Sequence, residues 1–320
     1  MTVRTAALLA LCALIPGASA AAEKYPTKPV RIIVGFGPGS SSDTLARVLA
    51  QGLGASLGQQ FIVEVRPGAG SNVAAASVVR SPKDGYTLFM ATGSSTIRTA
   101  VSSNLTFDFA KDLAPIALVG NVPFVLAANP ALGVNTVQEL IALARSKPDS
   151  LTFGASAVGT TGYLSAQLFN RTAGVNLVIA PYPSTAQATT DLITGRISVM
   201  FASASNVLQL VEDGKLKALA VGQSTRSEMI PNVPTMLEAG LPGVDASIWI
   251  GLLAPAGTPA EIIEQLAAAT NEFLKSSEAA RQMRLQGMEP LGGTPGAFAR
   301  RIADDTAKWA AITSAAGLEK

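Results

Sequence analysis

Apolar positions along the chain fall into two rhythms. Short β-branched runs such as Val30–Val34 (VRIIV) and Phe61–Val65 (FIVEV), bounded by Pro29, Gly35 and Pro67-Gly-Ala-Gly70, predict strands. Between them Leu45, Val48, Leu49 and Leu53 recur at helical spacing, with Ser41 or Ser42 placed to cap that helix. A helix over Ala74–Val79 follows, then Asp84-Gly85 turns the chain into the strand YTLFMAT. Ile116–Ala128 is a long β-like stretch interrupted by Pro123. Thr136-Val-Gln-Glu139 forms a capping box for a helix from Val137 to about Arg145.

The alternation continues with strands at Thr152–Ala155, Leu177–Ala180, Ile197–Phe201 and Leu216–Val221. Helices fall between them, from about Tyr163 to Phe169, through Ile193, and over Val207–Glu212. A further strand, Ile248–Ala254, precedes a helix opened by Thr258-Pro-Ala-Glu261, which joins a capping box to proline at the first helical position. That helix carries Ile262, Ile263, Leu266, Phe273 and Leu274 on one face. Thr294-Pro295 opens the last helix, with Phe298, Ile302, Trp309 and Ile312 at turn spacing and Gly317 beyond its end. Strands and helices in such alternation predict an α/β fold with mixed, mainly parallel sheets flanked by helices.

Residues 1–22 follow a different plan. Arg4 precedes the ten-residue apolar run Ala6–Ile15, Pro16-Gly17 breaks it, and GASAAA offers cleavage after Ala20 or Ala22. This is the plan of a secretory signal peptide, too short to span a bilayer, and it predicts an exported protein. Cys12, the one cysteine, lies inside the run, and Leu11 before it is not the small residue of a lipoprotein signal. The processed chain would then have no disulfide and would rest on core burial.

Composition narrows the function. Lys+Arg 24 against Asp+Glu 22 supplies no basic face for nucleic acid, and 48% hydrophobic with 14% charged residues excludes disorder. There is no histidine, so the usual general base is missing, and the processed chain lacks a thiolate. Ser156 sits in GASAVG, without G-x-S-x-G spacing, which leaves an exported serine hydrolase as a weak alternative. Neither a His/Cys cluster nor a calcium loop occurs, so no metal and no cofactor are expected. Asp304-Asp305 reads as a solvated helix face, and Asp43 as a stabiliser of backbone donors at a helix start.

Four turns resemble one another: GFGPGSSSD (35–43), TGSST (92–96), SAVGTTG (156–162) and FASASN (201–206). Each follows a strand, and the first, third and fourth lead into helices. In open α/β sheets such loops form the ligand crevice, and helix starts favour an anion. Gly35-x-Gly37-x-Gly39 is not G-x-G-x-x-G, and no P-loop occurs, so a nucleotide is not implied. The expected ligand is small and acceptor-rich. Candidate contacts are Gly39, Ser40, Ser41 and Ser42; Thr92, Gly93, Ser94 and Ser95; Val158, Gly159, Thr160 and Thr161; and Phe201, Ala202 and Ser203. Thr185, in PYPSTAQ, joins them.

Seven stretches occur in one order: YPTKPVRIIVGFGPGSSSD, VEVRPGAGSNVAAASV, PKDGYTLFMAT, DFAKDLAPIALVG, PNVPTMLEAGLPG, WIGLLAPAGTPAEIIEQL and MEPLGGTP. Together, over Tyr25–Gly317, the chain resembles the Bug-type (tripartite tricarboxylate transporter) substrate-binding receptors of bacteria. The resemblance implies a two-domain periplasmic binding protein, a type II-like clamshell. Residues 24–122 with 248–320 would form one domain and 123–247 the other, with hinges near Asn121–Ala128 and Ser247–Ala254 and the ligand between. It also implies a monomer that holds a carboxylate and delivers it to membrane transporter subunits or reports it to a sensor kinase.

Against the family pattern, P-P-G-G reads Gly37-Pro38-Gly39-Ser40, a common histidine is Tyr163, P-Y-K-G is Pro181-Tyr182-Pro183-Ser184, and an aspartate after M-F is Ala202. The last change removes a partner for an α-ammonium group. Phe36, Tyr182, Phe201 and Trp249 remain as apolar walls. The ligand expected is a mono- or dicarboxylate with apolar bulk, aromatic acids included.

Overall fold

The computed structural model describes residues 25–101, 105–155 and 160–315. The signal segment expected at 1–22, Ser156–Gly159 and Gly317 lie outside the described residues.

The chain builds two sheets. In the first, β1 (Val30–Val34) lies between β2 (Phe61–Val65) and β3 (Thr87–Thr92), parallel to both. The crossovers are α1 (Ser41–Leu57) and α2 (Asn72–Val79), as parallel pairing requires. After α3 (Ser94–Val101) and α4 (Phe109–Asp112) comes β4 (Leu113–Val122). β10 (Ile248–Pro255) inserts between β3 and β4, antiparallel to each, and the short β11 (Glu289–Pro290) closes the edge beside β4.

The second sheet has the order β7 (Val178–Pro181), β6 (Thr152–Ala155), β8 (Val199–Ser203), β5 (Phe124–Ala128), β9 (Lys217–Val221). β6 runs parallel to β7 and β8, whereas β5 runs against β8 and β9. Its helices are α5 (Val137–Ser146), α6 (Thr161–Ala173), α7 (Thr185–Ile193) and α8 (Ala204–Glu212). α9 (Ala260–Leu274), α10 (Ser277–Leu285) and α11 (Pro295–Ala315) follow β10.

Two mixed sheets flanked by helices agree with the sequence, but parallel pairing does not dominate as expected. β5 and β10 are inserted between strands from distant parts of the chain. The connections across these pairs are long and hold several elements instead of one crossover helix, so nothing commits them to a parallel direction.

Local chemistry explains most boundaries. The β-like stretch around Pro123 divides there, with β4 in one sheet and β5 in the other. α1 is capped by Ser40, not by Ser41 or Ser42. Its Oγ accepts from Asp43 N at 3.3 Å, and Asp43 accepts from Gly39 N at 2.9 Å. At α5 Thr136 accepts from Glu139 N, while Glu139 reaches one residue further back than in a capping box, to Asn135 N. Thr258 does not cap α9. Its hydroxyl donates to Pro255 O at 2.8 Å and closes a turn ahead of the helix instead. The sequence reading passed over α3, α4, α10 and β11, which are short or carry few apolar positions.

Burial holds each layer in place. Leu45, Leu49 and Leu53 present one fully buried face of α1 to the first sheet, each such side chain stabilising the fold by about 1.5–3 kcal/mol. α11 serves both sheets: Phe298 and Ile302 pack with Phe89 and Trp249, whereas Trp309 and Ile312 join the core that holds Leu164 and Phe169.

The reading of Asp304-Asp305 as a solvated pair is half right. Asp304 is exposed, but Asp305 is buried and accepts from Trp249 Nε1 at 2.6 Å. It also pairs with Arg301 at 3.1 Å and Lys308 at 2.9 Å. Burial works to raise its pKa, but the two cations and the indole N–H outweigh this and hold it below the usual carboxylate range. The group therefore adds stability above the ordinary carboxylate pKa and loses it as pH falls through its own lower value. Asp305→Asn is expected to lower the free energy of unfolding in urea by about 2 kcal/mol at neutral pH. The deficit relative to wild type should shrink below about pH 4.

Candidate functional site

Strands β1, β3, β6, β7 and β8 each run directly into a helix, so α1, α3, α6, α7 and α8 all begin at strand ends. Residues from all five starts border one cleft. Its inner part, a cavity of about 220 Å³, is lined by Ser94, Thr160, Thr161, Thr185, Ser203 and Asn206, with Met200, Phe201 and Ala202. Its outer part, about 370 Å³, is lined by Phe36, Ser40, Ser41, Ser42, Thr92, Ser205 and Gln286, with Val122 and Ile250. The two parts share Ser94, Phe124, Ser203, Asn206 and Ile248, so they adjoin.

The lining has a consistent chemistry. Ser40 and Thr160 act as caps, accepting from Asp43 N and Tyr163 N. The residues after them, Ser41 and Thr161, open the helices and carry hydroxyls on the cleft wall. Thr92 and Thr161 are each 6% exposed, and neither hydroxyl has a hydrogen-bond partner. A buried donor without a partner is costly unless something supplies an acceptor. Among the described residues lining the cleft none is ionisable. Negative charge would be attracted here by the helix starts, with their free N–H groups and dipoles.

Most residues expected from the sequence meet here: Phe36, Ser40, Ser41, Ser42, Thr92, Ser94, Thr160, Thr161, Thr185, Phe201, Ala202 and Ser203. Val158 and Gly159 lie outside the described residues. Gly39, Gly93, Ser95 and Tyr182 do not line either cavity. Gly93 is packed against Trp249, where an added Cβ would lie 3.3 Å from Nε1. Tyr182 turns its hydroxyl to Asp191 at 2.8 Å, and burial followed by that carboxylate raises its pKa.

Trp249 is not a cleft wall. It is 1% exposed and faces the other side of β10 from Ile248 and Ile250, towards a separate cavity of about 180 Å³. The sequence reading missed Phe124, Asn206, Ile248 and Gln286. Asn206 ended one of the four hydroxyl-rich turns, and strand alternation made either Ile248 or Trp249 the inward residue.

A broader groove of about 730 Å³ runs between α1 and the edge strand β2, bordered by Arg47, Gln51 and Gln59. It gathers no helix start and no unpartnered buried hydroxyl, so it is the weaker site.

Residues 45–318 match the TctC family, described as tripartite tricarboxylate transporter family receptor. The chain belongs to that receptor family. BugT of Bordetella pertussis is 35% identical over 94% of this chain and 93% of its own. A Rhodopseudomonas palustris protein, Rpa4515, solved with adipate, is 35% identical with a TM-score of 0.72 over 92% of this chain and 98% of its own. A TctC solute-binding protein from Polaromonas, solved without ligand, is 28% identical with a TM-score of 0.83 over 91% and 99%. The order of motifs in the sequence pointed to the same TctC receptors.

The unpartnered Thr161 hydroxyl gives this TctC receptor a measurable signature. Thr161→Val is expected to keep the fold and raise the unfolding free energy of the ligand-free protein by about 1 kcal/mol, read by urea denaturation. A loss of stability would show that the hydroxyl already has a partner.

Proposed function

We propose that this chain is a periplasmic solute receptor without enzymatic activity that closes around a carboxylate with an uncharged, partly apolar body, a dicarboxylate or an aromatic acid. The observation that carries this reading is the meeting of five helix starts and their hydroxyls in a cleft with no ionisable side chain among its described lining residues. Neutral donors at helix starts satisfy an anion without a full counter-charge. The hinge-side wall of Val122, Phe124, Ile248 and Ile250 suits a hydrocarbon segment. An α-ammonium group would find no carboxylate among the described lining residues, with Ala202 at the position of the family's aspartate.

The lobes in this reading are residues 24–122 with 248–320, and 123–247. Pro123 and Ser247 mark the crossings. There Ala204 N donates to Pro123 O at 2.8 Å, and Ser247 N donates to Gly222 O at 2.9 Å, tying the connecting strands together. The ligand-free Polaromonas relative superposes more closely than the adipate-bearing one despite its lower identity, and in this reading the present arrangement is the open form. Export through the segment at 1–22 and delivery to membrane transporter subunits complete the proposal. Ser40, Ser41, Ser42, Ser94, Thr160, Thr161 and Ser203 would hold the carboxylates.

Calorimetry on unfolded, dialysed and refolded protein tests this directly, against aliphatic dicarboxylates, benzoate-type acids, amino acids and the matching amides. A micromolar acid that loses binding as its amide is the expected result, with amino acids weaker. Binding restricted to uncharged compounds would sink it. The double variant Ser41→Ala, Thr161→Val should bind that acid at least about tenfold more weakly while remaining folded.

A further inference from the structure

The β4–β10 ribbon at the hinge has two faces that look into different cavities. Ile248 and Ile250 border the cleft in front, whereas Ser247 and Trp249 border the cavity of about 180 Å³ behind. On β4 the same alternation sets Val122 in front and Asn121 behind. Glu289 of β11 stands opposite Asn121, and Asn121 opposite Trp249, so the three form one row across the rear face.

Glu289 reaches beyond its own sheet. Its Oε1 accepts from Ser227 Oγ at 2.5 Å and from Glu228 N at 2.9 Å. Its Oε2 accepts from Gln223 Nε2 at 3.1 Å, and Gln223 Oε1 accepts from Asn121 Nδ2 at 2.6 Å. Residues 223–228 follow directly from β9 of the second sheet. Asn121, Gln223 and Ser227 are all buried. Glu289 itself is half-buried, and a carboxylate held by three donors, two of them on buried residues, makes charge-assisted bonds that are costly to release.

A hinge that closes at its front widens at its rear. Drawing the lobes over the cleft therefore lengthens the span that Glu289 bridges. We propose that Glu289 is a positioning residue, the rear latch of the hinge: it holds the cleft open until a ligand supplies the closing energy, and so sets affinity without touching ligand. This rests on reading the front cleft as the ligand site and the structure as its open form. A latch of this kind makes the affinity of every ligand lower by the same factor, the penalty for leaving the open state.

Small-angle scattering of ligand-free Glu289→Gln, which keeps the shape, removes the charge and turns one of the two acceptor oxygens into a donor, should give a smaller radius of gyration than wild type. Adipate, titrated calorimetrically, should bind that variant about fivefold more tightly. Ser227→Ala removes one donor from the other lobe, should shift both readouts the same way, and decides the matter if Glu289→Gln does not fold. An unchanged or larger radius in both variants overturns the latch. If wild type binds neither adipate nor any other acid, the carboxylate reading fails, and the ligand-free scattering still decides for or against the latch.

Discussion

The antiparallel ladder between β4 and β10 is the constraint on which the rest of the molecule depends. It joins strands far apart in sequence, continues at one end into the crossings to the second sheet, and carries the edge strand β11. Because side chains alternate along a strand, its register decides which residues border the cleft and which border the rear cavity. A slip of one residue on β10 would bring Trp249 into the cleft and bury Ile250 behind. Trp249 opposes that slip, being fastened by Asp305 of α11 and stacked edge-on against Phe298. The ion pairs of the buried Asp305 thus act on the cleft from its far side.

The second organising fact is that capping and lining are done by neighbouring residues. A helix start needs a short polar side chain to accept a backbone N–H, and Ser40, Thr160 and Ser184 do this at α1, α6 and α7. The next residues, Ser41, Thr161 and Thr185, border the cleft. Runs of serine and threonine therefore arise from one requirement followed by another. Strands of both sheets that end at the cleft bring these pairs together without any long loop.

Much of this was legible in the sequence, and the misses have physical causes. Period-two and period-3.6 patterns located most strands and the long helices because their buried faces are broad, as with Leu45, Leu49 and Leu53. α3 was hidden because its hydroxyl-rich first turn reads as loop. The hydroxyl-rich turns named most of the cleft residues, since small polar residues between a strand and a helix have few other uses. What local pattern could not give was the partner of each strand. Strand direction in the sheets, the rear placement of Trp249 and the burial of Asp305 are set by contacts between residues far apart in the chain. Gln286 reaches the cleft from the end of α10, a helix whose own pattern gave no hint of it.

A cleft bordered by dipoles instead of full charges has a kinetic character of its own. The field of a helix start fades within about one turn, whereas a lysine or arginine projects attraction over roughly a Debye length, about 8 Å in physiological salt. With a formal net charge of +2 across 320 residues, the surface adds little long-range pull. An anion would then reach this cleft at an unguided rate, much the same in dilute and concentrated salt. Selection among acids would reside in how long each is retained once the hydroxyls have gathered around it.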